Sequence, residues 1–337
     1  MRTITWNDDD KIIKMIDQRV LPERFEILSI AHYQEVAEAI TTMVIRGAPA
    51  IGVAAAFGMA MAAFNSNATT IDSMIQDLEA AGDILNNARP TAVNLSWAVK
   101  RMLEAAEGFQ GSVMDLKRAM LRLAKDLADE DVATNKRLSE FGAALIEDGD
   151  NIVHHCNTGA LATVDWGTAL GVIRMAHEQG KHIHVFVDET RPRLQGARLT
   201  AWELEQYGIS YDIITDGTSG YLMRKGLVQK VIFGADRVAA NGDVANKIGS
   251  YMLALAAYDN GIPAYSAFPI STVDFNLDRG EMIQIEERDE EEVLALTLMG
   301  KQVAPEGASA RNFAFDVTPN RLISGSVSYT HLRAHET

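Results

Sequence analysis

Over the first thirty residues, short apolar runs are separated by acidic or proline-containing turns. ITW, KIIKMI and RFEILSI therefore read as three short strands. From Tyr33 the rhythm changes. In HYQEVAEAITTMVI the apolar positions Val36, Ala39, Ile40, Met43 and Val44 recur at helical spacing. A second helix is predicted from about Pro49, because proline is favoured in a first helical turn. Three more amphipathic stretches follow: IDSMIQDLEAAGDILNNA, VNLSWAVKRMLEAAEG and a long one from Val113 to Ile146. After Asp150 short apolar runs alternate with helical ones. NIVHHC, HIHVFVD, SYDIITD and KVIFGAD are strand-like, each ending in a polar or acidic residue. LATVDWGTALGVIRMAHEQG, LQGARLTAWELEQYG and SGYLMRKG lie between them and read as helical. This alternation predicts a parallel sheet with right-handed crossovers. ANKIGSYMLALAAYDNG is expected to form a helix and IPAYSAF another strand. ERDEEEVLAL reads as a solvated loop or helix start.

The predicted architecture is therefore α/β, with a small N-terminal β element plus helices over 1–130 and a parallel-sheet domain over 131–326. With 337 residues, 47% of them hydrophobic, the chain has ample material for two cores. The run APAIGVAAAFGMAMAAF is rich in Ala and Gly and is expected to be a buried helix, not a membrane span. One cysteine cannot form an internal disulfide, which fits a reducing cytoplasm. MRTITWNDDD has no apolar signal core. A formal net charge of −15 argues against a nucleic-acid backbone as partner, although local basic sites can still hold a small phosphate. The final eleven residues, Val327–Thr337, match the in-frame translation of a transposon-type sequencing adapter. The native chain is accordingly expected to stop near Gly325, and 327–337, with His331 and His335, is set aside as an artefactual tail.

In an open parallel sheet, ligands bind beyond the carboxyl ends of the strands. Cys156 ends NIVHHC and Asp236 ends KVIFGAD, so both are candidates. A thiol near a helix N-terminus is available as thiolate at neutral pH, whereas the bland alternative is a small buried hydrophobe. Thr158 or Thr163 is placed to cap the helix that follows. An Asp in an apolar pocket tends to stay protonated and can donate a proton; the alternatives for Asp236 are a cap or a partner for Arg237. Asp188 and Glu189 also end a strand, but Arg191, Arg193 and Arg198 follow, so charge pairing within that loop is expected. Arg46-Gly47-Ala48 precedes a proline-started helix whose free N–H groups suit an anion. Arg89 sits before Pro90 at a helix end, and Asn246-Lys247 is expected to open a helix. His154 and His155 are strand neighbours and should face opposite ways. No Cys/His cluster has zinc spacing, so no metal is assigned. There is no G-x-G-x-x-G and no G-x-x-x-x-G-K-[ST], so a dinucleotide or P-loop nucleotide is unsupported.

The stretches VIRGAPAIGVAAAFG, ARPTAVNLSWA, HHCNTGALAT, VDETRPRLQGARLTAWEL, DGTSGYLM, GADRVAANGDVANKIGSY and FDVTPNRLIS span nearly all of Thr3–Ser324. Together they closely resemble the S-methyl-5-thioribose-1-phosphate isomerase family of methionine salvage. That family shares a superfamily with translation initiation guanine-exchange-factor regulatory subunits and ribose-1,5-bisphosphate isomerases. The resemblance implies a β-plus-helical domain joined to a Rossmann-like domain, a homodimer, no cofactor and a sugar phosphate substrate. It implies that Cys156 and Asp236 are catalytic, and that Arg46, Gly47, Ala48, Arg89, Gln195, Asn246 and Lys247 bind substrate. A 1-phosphate blocks the anomeric carbon, so the furanose must open with the phosphate attached. Asp236 is expected to protonate the ring oxygen and Cys156 to act as base or to stabilise the transition state. A direct C2-to-C1 hydride shift is the rival route. The alternatives in function are isomerisation of 5-deoxyribose 1-phosphate or ribose 1,5-bisphosphate, or a non-catalytic regulatory subunit.

Overall fold

In the computed structural model, described over residues 1–90, 92–328 and 332–334, the chain divides into two compact units. The first comprises Met1–Lys136 and Gly159–Gly167, the second Arg137–Thr158 and Thr168–Thr337.

The first unit opens with β1 (Ile4–Asn7), β2 (Ile12–Ile16) and β3 (Ile27–Ile30), an antiparallel sheet in that order. Alternation decides its faces: Ile4, Ile13 and Met15 are buried, while Lys14 points out and donates to Ser29 Oγ at 2.7 Å. Next comes α1 (Tyr33–Thr41), entered through Glu35, whose carboxylate accepts the N–H groups of Ala31 and His32. The centre is α2 (Ala48–Asn65), apolar all round and buried without a break from Ala50 to Ala63. A helix with no polar face has to be enclosed. It is the one helix among the described residues long and apolar enough to cross a membrane, and most of it lies inside this core. Against it pack α3 (Ile71–Ala88) and α4 (Val93–Glu107), and Gly58 leaves room for Leu85. Then α5 (Val113–Ala143), which counts in this unit as far as Lys136, turns Leu116, Met120, Ala124 and Leu127 inward. The later segment Gly159–Gly167 is sewn into the same unit. Thr3 donates its N–H to Val164 O (2.8 Å), Gln18 donates to Leu161 O (2.7 Å), and Asp131 accepts the Val164 N–H (2.8 Å).

The second unit runs β4 (Asn151–His155), α6 (Ala169–Glu178), β5 (His184–Asp188), α7 (Ala201–Tyr207), β6 (Ser210–Ile214), α8 (Thr218–Arg224) and β7 (Lys230–Phe233). There follow β8 (Arg237–Ala239), β9 (Val244–Lys247), α9 (Ser250–Asp259), β10 (Ala264–Ala267), β11 (Val273–Asp274), α10 (Glu291–Leu294), β12 (Thr297–Leu298), β13 (Lys301–Gln302), β14 (Phe315–Thr318), β15 (Gly325–Val327) and β16 (Leu332–Ala334). The main sheet has the order β16-β15-β10-β7-β4-β5-β6, parallel except for β16. Its six parallel strands are in the doubly wound order of a Rossmann-like fold, with the switch point between β4 and β7. Val153, Val231 and Phe233 are wholly buried, as parallel strands covered on both faces require. A second sheet, β11-β8-β9-β14, stands after β7, and β12 and β13 form a separate hairpin. Of the segment Val327–Thr337, residues 329–331 and 335–337 lie outside the described residues.

Three local expectations need correction. Asn246 and Lys247 do not open a helix: they end β9, paired on one side with β8 and on the other with β14, and α9 starts at Ser250. The helix expected from Leu161 starts at Ala169, because Gly159–Gly167 makes a 3-10 turn and a loop first. The helix expected from Leu194 begins as a π-helical turn over Gly196–Thr200 before α7.

Candidate active site

The register His155↔Phe233 across β4 and β7 makes Cys156 and Gly234 leave the sheet side by side, at the switch point. Cys156 is buried and has φ +68°, a conformation that side-chain-bearing residues rarely adopt. Two hydroxyls hold it there. Its N–H donates to Thr190 Oγ1 (2.9 Å), and its carbonyl accepts from Thr200 Oγ1 (2.6 Å). Thr190 in turn donates to Asp188 O at 2.9 Å, which ties the end of β4 to the end of β5. The thiol donates to Gln195 Oε1 at 3.7 Å. Gln195 starts the π turn, an irregularity often found at functional positions. Thr158 accepts the Leu170 N–H at 3.0 Å and so caps α6 as the sequence predicts. Strain of this kind persists only where the surroundings over-determine it.

Beyond β7, Gly234 and Ala235 lead to the half-buried Asp236, whose N–H donates to Ala245 O at 2.9 Å. Arg237 does not pair with Asp236; it faces Asp274 at 3.4 Å. No hydrogen bond to the Asp236 carboxylate occurs among the described residues. The hairpin β8–β9 sets Asn246 and Lys247 beside this strand end. Asn246 donates to Ser250 Oγ at 2.8 Å. Lys247, opposite Phe315 in the β9–β14 register, is buried, donates to Ala314 O at 2.8 Å and lies 4.3 Å from the Phe315 ring centroid.

The two histidines do face opposite ways. His154 is enclosed between Ile232 O (2.8 Å from Nδ1) and the Thr158 hydroxyl (3.2 Å from Nε2). Burial depresses its pKa to about 3, although the Ile232 carbonyl favours the proton. The folded state therefore holds it neutral. That stability is complete above about pH 6.5, the unfolded value, and is lost as the pH falls toward 3. Lowering the pH from 7 to 5 is expected to remove about 2 kcal/mol, read from urea unfolding, with the loss absent in His154→Asn. His155 is bound instead by Asp188 Oδ2 (2.8 Å) and Ile248 O (2.9 Å). Asp188 also accepts from Ser219.

Arg46, Gly47, Ala48 and Arg89 all fall in the first unit. Gly47 caps α2 with φ +95°, and a Cβ there would lie 2.6 Å from Ala162 Cα, so no other residue fits. Pro49 occupies the first turn of α2, whose N–H groups have no partner one turn back. Arg46 is half-buried, and Arg89 is the C-cap of α3. Cys156, Gln195, Asp236, Asn246 and Lys247 fall in the second unit, where all five gather at the carboxyl edge of the main sheet.

Asp188, Arg191 and Arg193 take hydrogen-bond partners other than the pairing expected within the loop after β5. Asp188 serves His155 and Ser219, Arg193 reaches Glu292 at 2.7 Å, and Arg191 donates to the carbonyls of Pro192 and Val293. The residues that sequence reading missed are those supporting the site: Thr190, Thr200, Ser219 and the His155–Asp188 pair. His155, Asp188 and Asp216 bring ligand-type atoms within 4.8 Å of one another. They are engaged with protein groups: Nδ1 with Asp188, and both Asp216 oxygens with the N–H groups of Thr190 and Arg191. Each of the three thus has a hydrogen-bond partner within the protein.

The sequence profile of the Initiation factor 2 subunit family matches residues 44–329. A relative called methylthioribose-1-phosphate isomerase 2, from Pseudothermotoga lettingae, is 50% identical over 97% of this chain and 93% of its own length. The methylthioribose-1-phosphate isomerase of Geobacter metallireducens is 51% identical over 97% and 94%. Among solved structures, 5-methylthioribose 1-phosphate isomerase from Pyrococcus horikoshii superposes with TM-score 0.92 at 43% identity, covering 99% of this chain and 92% of that one. A structure described as translation initiation factor eIF-2B, subunit delta, from A. fulgidus gives TM-score 0.88 at 43% identity, covering 99% and 96%. Profile, relatives and fold agree that this chain belongs to the Initiation factor 2 subunit family and, within it, to the methylthioribose-1-phosphate isomerases.

Proposed function

We propose that this chain converts 5-methylthioribose 1-phosphate to 5-methylthioribulose 1-phosphate, with Cys156 and Asp236 carrying the chemistry. The observation that supports the reading most is that these two residues follow neighbouring strands. One follows β4, the other follows β7, and the two strands flank the switch point. The isomerase relatives at about half identity over nearly the whole chain point the same way.

The reaction asks for a proton on the ring oxygen, a hydrogen moved from C2 to C1, and a proton released from the C2 hydroxyl. As the bond from C1 to the ring oxygen breaks, Asp236 gives its proton to that oxygen. The sulfur of Cys156, starting as thiolate, takes the proton from C2 and returns it to C1, and so ends as thiolate again. The C2 hydroxyl becomes the carbonyl, and its proton restores the acid form of Asp236. A positioned acid or base contributes about 10²–10⁴-fold to such a step. Arg46, the first amides of α2 at Gly47–Ala48, and Arg89 supply positive charge and N–H donors for the phosphate. Asn246, Lys247 and Gln195 supply polar contacts at the sheet edge. Binding energy from the phosphate, which stays attached to C1 and is not itself transformed, then orients the sugar.

The chain works as a homodimer in a reducing compartment, which its family and its single cysteine favour. Light scattering on the purified chain is expected to give twice the chain mass.

The test of the activity is phosphorus NMR of the purified chain with 5-methylthioribose 1-phosphate. Conversion of the aldose 1-phosphate signal to that of a primary ketose phosphate is expected. Faster conversion of ribose 1,5-bisphosphate or 5-deoxyribose 1-phosphate would reassign the substrate. The second reading, a regulatory subunit without turnover, is favoured by the A. fulgidus structure's description. Binding of these sugar phosphates with no conversion of any would establish it.

A further inference from the structure

We propose that His155 is a positioning residue. As an imidazolium clamped between Asp188 and the Ile248 carbonyl, it fixes the turn Lys247–Gly249 and so the affinity for the sugar phosphate. The inference rests on the isomerase reading and extends it to a residue that touches no substrate.

The geometry suits the charged form. Both ring nitrogens face oxygens, Asp188 Oδ2 at 2.8 Å and Ile248 O at 2.9 Å; the carbonyl can only accept, and so can the carboxylate when ionised. With Asp188 ionised, each nitrogen carries a hydrogen. The ring is seated tightly, since a Cβ on Gly249 would lie 2.9 Å from its Cε1 and Gly249 itself has φ +105°. Ile248 joins Lys247, the buried cation of β9, to Gly249, the cap of α9. The bond to its carbonyl is thus the link from the end of β4 to the substrate-binding turn. Cys156 does not depend on that link, because Thr190 and Thr200 hold its backbone separately. Loss of the clamp should therefore loosen binding more than chemistry.

The groups around the ring decide its titration. Asp188, supported by Ser219, is the nearest anion; Asp216 and Asp316 add negative charge from β6–α8 and β14. Lys247 and His154 are the nearby basic groups, and burial holds His154 neutral. Burial works against a charged His155, but the Asp188 bond and charge, the Asp216 charge and the Ile248 carbonyl outweigh it and hold its pKa above the ordinary value. The clamp is accordingly complete below about pH 6.5 and is lost as the pH rises through the raised folded value.

The test is kinetics of the full chain from pH 6 to 9, with long-range nitrogen–proton NMR of the histidine rings assigned by His155→Asn. At pH 6.5 both His155 nitrogens should carry protons, and KM should rise with pH at the midpoint where one proton is lost. In His155→Asn, KM at pH 6.5 should be up about tenfold and independent of that titration, with kcat changed less than about threefold. If that variant does not fold, Asp188→Asn serves: the midpoint of the KM profile should move to lower pH. A neutral His155 ring at pH 6.5, a flat KM profile, or a kcat loss equal to the KM rise would overturn the inference while leaving the isomerase standing. A folded wild-type chain that makes no ketose would overturn the isomerase reading itself, whatever the ring spectrum shows.

Discussion

Asp236→Asn is expected to lower kcat by about 10²–10⁴-fold while leaving the fold and the phosphate affinity intact. The half-buried carboxylate stands after β7, with Arg237 turned away to Asp274 and no hydrogen bond from a described residue occupying it. An amide of the same shape keeps the packing but cannot deliver a proton to the ring oxygen. Cys156→Ala should lose a comparable factor. Its backbone is held by Thr190 and Thr200, so removing the sulfur leaves the strained turn in place. Combining the two changes should cost far less than the product of the single losses, because residues serving one transition state act as a unit. Steady-state kinetics of the three variants against wild type checks this. Thermal unfolding within a few degrees of wild type would show that the loss lies in chemistry.

Gly196→Ala should have the largest effect on stability. A Cβ at Gly196 would run into the Asp188 carbonyl oxygen, 3.0 Å from its carbon and 3.1 Å from Thr190 Oγ1. The obstruction is backbone, which cannot swing aside as a side chain can. Overpacking of this kind typically costs 1–3 kcal/mol, and about 3 kcal/mol is expected here. The cost should reach the chemistry as well. Gly196 follows Gln195, which accepts the Cys156 thiol proton, and Thr190 holds the Cys156 N–H. A lowered urea midpoint together with reduced turnover is the expected result; an unchanged midpoint would mean that the π turn is free to shift.

Much of this site was legible in the sequence. NIVHHC and KVIFGAD are short strand-like runs in a β-α-β alternation, so Cys156 and Asp236 stood out as the residues that end them. The supporting residues were not legible, because each finds its partner far along the chain. His155 meets Asp188 across 33 positions, and Arg193 meets Glu292 across 99. Local spacing instead favoured Asp188 pairing with the arginines just after it. Asn246-Lys247 was misread for the same reason: the helical pattern of α9 follows at once, while the partner that makes β9 a strand, Phe315–Thr318, comes much later. The π turn at Gly196 was hidden because its residues keep a helical pattern, and only the close approach to Asp188 reveals the irregularity.

The most direct test of the account is proton NMR of 5-methylthioribose 1-phosphate incubated with the chain in heavy water, beside Cys156→Ala and Asp236→Asn. The account predicts 5-methylthioribulose 1-phosphate carrying solvent deuterium at C1 from the wild type, and almost none from either variant over the same time. Ketose formed at the wild-type rate by both variants, or no ketose from a folded wild-type chain, would contradict it.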